Sequence, residues 1–167
     1  QVLTLLGDTI TDAQDFQFFL VALFHALDHV ADQSTGQAVQ TLVQMYADNK
    51  VPMGRIVDAP RFAYRGMMID VSRHFFDVDF IKKQIDAMAR YKLNRLHLHL
   101  TDAAGWRIEI ARYPRLTEFA AWRTHATWKE WWNGNREYVD RGAANAHGGY
   151  YTQAEIREIV EYAQCNY

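Results

Sequence analysis

The chain has 167 residues, of which 49% are hydrophobic and 23% are charged, and its formal net charge is −2 at pH 7. This balance gives no electrostatic basis for binding nucleic acid or an anionic membrane surface, and the length suits one domain or parts of two. The single cysteine, Cys165, has no partner in the sequence for a disulfide and leaves the redox compartment open.

The first third of the chain is predicted to be mainly helical. Apolar residues recur at helical spacing over 12–31, and the apolar run at 18–24 is shorter than the roughly 20 residues that span a bilayer. Acidic residues precede that run, so any signal peptide would lie upstream. A second helix is predicted over 36–47. A connector over 48–60 follows, and its two prolines favour a domain boundary near its end.

A strand–helix–strand unit is predicted after this boundary. FAYRGMMIDVS, at 62–72, is an apolar run of strand length. FIKKQIDAMARYKL, at 80–93, has the apolar stripe of a helix, which Asp77 or Asp79 can cap. NRLHLHLTD, at 94–102, is the second strand. Two strands joined through a helix are expected to be parallel, with a right-handed crossover.

A long loop and a final helix complete the pattern. The loop, 103–150, contains all five tryptophans, which could stack on sugar rings but are expected mostly to pack the loop itself. Thr152 and Glu155 form a capping box for the helix predicted over 151–164. Repeated βα units predict an α/β fold, either an open doubly wound sheet or a (β/α)8 barrel. Alternating leucine and histidine in RLHLHL favours the barrel, because a central strand of an open sheet is normally apolar on both faces.

Polar residues at the end of the second strand are candidates for a site. His97 and His99 share one face of that strand, and Asp102 closes it. Three interpretations are open: two structural histidines, a metal-free relay in which Asp102 orients an imidazole, or a metal site with the two histidines as ligands.

The end of the first strand supplies a second group, Asp70, Arg73 and His74, on the same rim as Asp102. An arginine here offers a fixed fork of donors for sugar hydroxyls or carboxylates. It could equally be structural and pair with Asp70. The residues alone leave both interpretations open.

Several motifs together resemble a known family. RGMMIDVSRHFF, YKLNRLHLHLTDAAGWRIEI, YPRLT and GGYYTQAEIREIVEYA follow one another in the order and spacing of glycoside hydrolase family 20, the β-N-acetylhexosaminidases. The resemblance covers 60–167. It implies the first βα units of a (β/α)8 TIM barrel, cut before the third strand, while 1–59 would be the end of an accessory α/β domain.

The resemblance also implies the chemistry. Family members remove terminal β-linked N-acetylglucosamine or N-acetylgalactosamine with retention, and the substrate's own acetamido oxygen is the nucleophile. No metal or cofactor is needed. Arg73 matches the arginine that holds the hydroxyls of the terminal sugar, Asp102 an aspartate that supports the general acid through a later histidine, and His99 a histidine near that network. The binding partner would be an oligosaccharide or glycoconjugate, and export from the cytoplasm is expected.

The resemblance has a gap, because the family's catalytic Asp-Glu pair falls beyond Tyr167 and the sequence contains no neighbouring Asp-Glu pair. The chain alone is therefore expected to be inactive and to require the remainder of the barrel. Two alternatives stay open: a metal-dependent barrel hydrolase that uses His97 and His99, and a non-catalytic carbohydrate-binding or assembly module.

Overall fold

The computed structural model describes residues 2–5, 33–46 and 54–166. The helix predicted over 12–31, including the apolar run at 18–24, lies outside them. The described elements, in chain order, are β1 (Val2–Leu5), α1 (Gln33–Met45), β2 (Gly54–Val57), β3 (Gly66–Asp70), α2 (Val78–Arg90), β4 (Arg95–His99), β5 (Thr101–Asp102), β6 (Gly105–Trp106), α3 (Arg115–Glu118), β7 (Trp122–Arg123), α4 (Trp128–Asn133), β8 (His147–Gly148) and α5 (Gln153–Cys165).

These elements belong to two compact units. One lies within Gln1–Arg65, Met88–Asn94 and Asn166–Tyr167, and the other within Gly66–Ala87 and Arg95–Cys165. The division of the chain into 1–59 and 60–167 as separate domains stays a prediction. Among the helices that the structure describes, none has both the length and the apolar content needed to cross a membrane.

The first unit contains a strand that the sequence did not reveal. β1 and β2 pair antiparallel, with Val2 opposite Val57. The prediction of a connector over 48–60 is therefore wrong at Gly54–Val57, which form β2. A strand of four residues depends on a distant partner and has little local pattern. Helix α1 begins three residues before its predicted start, and Val39 and Leu42 on it are buried.

Most of the predicted strand–helix–strand unit lies in the second unit, and the last three residues of α2 belong to the first. β3 and β4 are parallel neighbours, with Gly66 opposite Arg95 and Asp70 opposite His99. The helix between them, α2, is capped by Asp77, whose Oδ1 accepts a hydrogen bond of 2.8 Å from the amide of Phe80. The predicted stripe on α2 is buried and consists of Ile81, Ile85, Met88 and Ala89.

The register of β3 and β4 separates an apolar face from a polar one. Because side chains alternate along a strand, Met67, Ile69, Leu96 and Leu98 share one face. The opposite face carries Met68 and Asp70 together with both strand histidines. Asp70 and His99 are opposite each other at the carboxyl ends of the two strands. The polar residues therefore collect at one end of the pair.

The segment predicted as a long loop contains short elements of its own. β6 pairs with β5, which is the end of the predicted second strand, and β7 pairs with β8. Helix α3 precedes β7 in the chain, and helix α4 follows it. The five tryptophans divide accordingly. Trp131 is buried, and the half-buried Trp106 and Trp122 donate their indole N–H groups to backbone carbonyls. Trp128 and Trp132 stack on each other at the surface, with 5.4 Å between ring centroids.

Helix α5 begins at the predicted capping box. The amide of Glu155 donates to Thr152 Oγ1 at 3.2 Å, and the amide of Thr152 donates to Glu155 Oε2 at 2.7 Å. Lys82 on α2 contacts Glu158 on α5 at 2.5 Å, so the two helices lie side by side. Consecutive strands followed by adjacent helices are the arrangement expected of a βα-repeat domain.

Candidate active site

Asp70 fixes the turn that follows β3. Its Oδ1 accepts hydrogen bonds from the amides of Ser72, at 3.1 Å, and Arg73, at 3.0 Å. An aspartate that bonds the backbone two and three residues further on stabilises a turn locally. The turn brings the Arg73 guanidinium back over the strand end, where Nη1 donates to Asp70 Oδ2 at 2.8 Å. Arg73 is therefore held by the end of its own strand.

Arg73 also joins the end of β3 to the hairpin that follows β4. Its Nη2 lies 2.9 Å from Asp102 Oδ2, and the same oxygen lies 2.9 Å from Nε2 of His99. The structure thus brings together Arg73, His99 and Asp102, the three residues to which the family resemblance gives a role. We call Asp70, Arg73, His99 and Asp102 the rim cluster.

The contacts of Asp102 decide its protonation. The hydrogen bond with His99, followed by that from the Ala103 amide at 2.6 Å and the positive charge of Arg73, lowers the pKa of Asp102 below its ordinary value. Asp102 is therefore a carboxylate at neutral pH. A carboxylate has no hydrogen to give, so His99 Nε2 carries the hydrogen of their bond. Asp102 acts here as an acceptor and a negative charge, and not as a proton donor.

The rim cluster is accessible from solution. The side chain of Arg73 is 40% exposed, and those of Asp102 and His99 are 33% and 32% exposed. A guanidinium has five N–H donors, and the contacts seen within the described ranges use one on each Nη nitrogen. Three donors of Arg73 then remain for a ligand. A neutral, hydroxyl-rich molecule matches this set better than an anion, since two carboxylates already balance the guanidinium.

A second arginine lies buried near the same strand ends. The Arg107 guanidinium donates to four carbonyl oxygens, those of Val71 (2.9 Å), Ser72 (2.8 Å), Ala121 (2.6 Å) and Gly149 (2.9 Å). Arg107 is only 1% exposed, and burial lowers its pKa to about 10. It therefore stays charged at neutral pH. These bonds connect three separate segments of the chain, so Arg107 fixes the scaffold on which the rim cluster is built.

His74 and His97, which were also candidates from the sequence, lie outside the contacts of the rim cluster. His74 is exposed and its ring is near Phe76, with 4.8 Å between centroids, while His97 is exposed on the polar face of β4. Across the part of the chain that the structure describes, no group of three or more His, Cys, Asp or Glu side chains could hold a metal ion. The bond between His99 and Asp102 is the arrangement of the relay interpretation.

Sequence reasoning missed one residue close to the rim cluster. The hydroxyl of Tyr138 donates a hydrogen bond to the carbonyl of Ala103, the residue directly after Asp102. Tyr138 is 36 positions from Asp102 in sequence and belongs to no recognisable motif, so only the fold could reveal it.

Comparison with known families identifies the second part of the chain. The model of "Glycosyl hydrolase family 20, catalytic domain" matches residues 62–167. A beta-hexosaminidase of Vibrio furnissii is 42% identical over 142 residues, which are 83% of this chain and 22% of that protein. A beta-hexosaminidase of Porphyromonas gingivalis is 47% identical over 113 residues, 68% of this chain and 12% of that protein.

Solved structures show the same likeness. The GH20 exo beta-N-acetylglucosaminidase of Vibrio harveyi in complex with N-acetylglucosamine has a TM-score of 0.65 and 37% identity, over 80% of this chain and 21% of that chain. A second beta-N-acetylglucosaminidase of the same family has a TM-score of 0.66 and 34% identity, over 99% of this chain and 37% of that chain. The chain thus spans well under half of the proteins it matches.

Proposed function

The chain belongs to glycoside hydrolase family 20, and on that premise we propose that the complete protein removes terminal β-linked N-acetylhexosamine from oligosaccharides or glycoconjugates by a substrate-assisted, retaining reaction. The family match and the solved neighbours confirm the predicted fold class, the beginning of an α/β barrel. The observation that carries the functional proposal is the rim cluster, which presents an accessible arginine between two carboxylates at the carboxyl ends of neighbouring strands.

The rim cluster would bind the sugar that is cut off. Arg73 would donate its remaining N–H groups to hydroxyls of the terminal residue, and its bonds to Asp70 and Asp102 would hold the fork in one orientation. A preformed donor set needs little rearrangement when the substrate binds. Arg73 is therefore assigned to substrate binding.

Asp102 and His99 would support the proton donor without contacting the substrate's leaving oxygen. Because Asp102 stays ionised, its negative charge would stabilise a protonated imidazole supplied by a later segment, which in turn supports the general acid. In this reaction the substrate's acetamido oxygen attacks the anomeric carbon while the acid protonates the leaving oxygen. The acid and its neighbouring aspartate would follow Tyr167, and the chain by itself would not turn over substrate.

Hydrolysis of 4-nitrophenyl N-acetyl-β-glucosaminide by the full-length protein tests the proposal. We expect release of nitrophenol, with the β-anomer of N-acetylglucosamine as the first product by NMR. The matching β-glucoside is the control, because it lacks the acetamido nucleophile and should not be cut. Hydrolysis of both substrates at similar rates would contradict substrate assistance, and saccharide binding without turnover would replace the enzyme by a binding module.

We also propose the cellular compartment in which the reaction takes place. Chitin fragments and glycoprotein glycans, which carry terminal N-acetylhexosamine, are mostly found outside the cytoplasm, so we place the complete protein in the periplasm or the medium. Fractionation of the source cells, with hydrolase activity measured in each fraction, tests this placement. Activity confined to the cytoplasmic fraction would contradict it.

A further inference from the structure

The turn after Asp102 is held from two sides. β5 and β6 form a tight hairpin in which Asp102 is opposite Gly105, so Ala103 and Ala104 make the turn. The amide of Ala103 donates to Asp102 Oδ1 at 2.6 Å, and the carbonyl of Ala103 accepts the hydroxyl hydrogen of Tyr138. Both polar backbone groups of this residue are therefore in use. The amide of Ala103 orients the Asp102 carboxylate.

Tyr138 is held by backbone and ring contacts. Its backbone bridges to Arg123 on β7, and the amide of Val139 donates to the carbonyl of Trp122 at 3.2 Å. Its ring packs edge-on against the buried Trp131, with 5.5 Å between centroids, and lies 5.9 Å from the ring of Phe119. A hydroxyl at the end of a ring fixed in this way has a well-defined position. This gives the tryptophan-rich segment a connection to the rim cluster.

We propose that Tyr138 is a positioning residue for Asp102: by holding the Ala103 carbonyl it fixes the backbone of Ala103, whose amide orients the carboxylate toward Arg73 and His99. The inference rests on the proposed function, since Asp102 matters for catalysis only in that reaction. Tyr138 would not touch the substrate. It would instead keep the carboxylate from rotating with the turn when the sugar engages Arg73.

The protonation states of the neighbouring groups agree with this assignment. Burial raises the pKa of Tyr138, so its hydroxyl remains a donor at the pH values at which the enzyme would work. Among the described residues, the charged or titratable groups that face Asp102 are Arg73 and His99, and the Tyr138 hydroxyl adds no charge to them. A change of Tyr138 to phenylalanine therefore alters the geometry of Asp102 without changing the charge of the site.

Kinetics on two substrates of different leaving-group quality test the proposal in the full-length protein. N,N'-diacetylchitobiose needs full protonation of its leaving oxygen, whereas 4-nitrophenyl N-acetyl-β-glucosaminide needs little. If Asp102 supports the acid, Tyr138→Phe should lower kcat/KM about tenfold more for the disaccharide than for the aryl substrate. This ratio is independent of the fraction of folded enzyme, because both substrates report on the same active molecules.

Tyr162→Phe is the matched control. It also removes a tyrosine hydroxyl, in this case one that donates to Asp86 at 2.7 Å across helices α2 and α5. The ratio of the two kcat/KM values should not change in this variant. An equal loss on both substrates in Tyr138→Phe would overturn the inference and leave Tyr138 a purely structural role. An unmodified protein that hydrolyses neither substrate would overturn the proposed function, and the inference with it.

Discussion

The two arginines near the strand ends have opposite surroundings. Arg107 is buried and bonds only to backbone carbonyls among the residues described, while Arg73 is 40% exposed and bonds to the two carboxylates of the rim cluster. Four carbonyl partners on three separate segments fix a fold but leave little of the guanidinium for a ligand. Two carboxylates that orient an open fork leave donors for a ligand. Burial and partner type thus separate the structural Arg107 from Arg73, the arginine proposed to bind the substrate.

Removal of the buried arginine should have the largest effect. Arg107→Ala leaves four carbonyl oxygens without their donor in a buried place, and we expect the free energy of unfolding to fall by about 3–5 kcal/mol. Chemical denaturation of the full-length protein measures this. Arg115→Ala is the control, because that side chain is 69% exposed and its pairing with Asp140 should matter little. Equal midpoints for the two variants would contradict the structural role of Arg107.

Removal of the exposed arginine should affect activity much more than stability. Arg73→Ala would remove the charged hydrogen bonds to the substrate that we propose for this residue, so kcat/KM for the aryl substrate should fall about 100-fold. The unfolding midpoint should change by only a few degrees, because the side chain is partly exposed and its ion pairs are solvated. Steady-state kinetics and thermal unfolding on the same sample separate the two effects. Near-normal kcat/KM would refute the assignment of Arg73 to substrate binding.

A smaller change tests how tightly the buried arginine is enclosed. A Cβ atom on Gly105 would lie 2.4 Å from Cζ of Arg107, and the guanidinium cannot easily withdraw because its four bonds hold it. Gly105→Ala should therefore lower the free energy of unfolding by about 1–3 kcal/mol. Gly142→Ala is not a suitable control, because its positive φ of 91° adds backbone strain. Ala103→Gly in the same hairpin serves better, and a loss as large as that of Gly105→Ala would contradict the packing argument.

The smallest effect concerns the pH dependence of stability. The pKa of Asp102 is lowered in the folded protein, so its contribution is present above the unfolded-state value, about 4, and is lost as the pH falls through the folded-state value. Asp102→Asn should therefore lower the unfolding temperature slightly at pH 7, and the difference from the unmodified protein should shrink as the solution is acidified. A difference that stays constant between pH 7 and pH 3 would show that charge plays no part.

Local patterns predicted β3, α2, β4 and α5, but not the short strands and helices between residues 103 and 150. The alternation in RLHLHL gave the polar face of β4, and the capping residues Asp77, Thr152 and Glu155 lie where the structure has them. These signals succeed because each depends on residues within one turn or one strand. The short strand β2 was missed because its partner, β1, lies about 50 positions earlier in sequence.

The candidate site was predictable only in part. Arg73 and Asp102 could be placed on one rim because parallel strands end at the same edge, and their contact at 2.9 Å agrees with that expectation. Their roles in binding and catalysis stay predictions until variants are measured. Tyr138 and the carbonyl partners of Arg107 are long-range contacts made by the segment that looked like a loop, and no local pattern signals them.

The pairing of β3 with β4 has a consequence for biosynthesis. Within the described part of the chain each of these strands is paired only with the other, and a barrel closes only when further strands pair with both outer edges. A ribosome delivers this pair before whatever strand follows it, and an open edge can meanwhile recruit a strand from a second nascent chain. The yield of soluble protein then depends on how quickly synthesis or a chaperone covers those edges, a kinetic requirement that the stability of the finished barrel does not reveal.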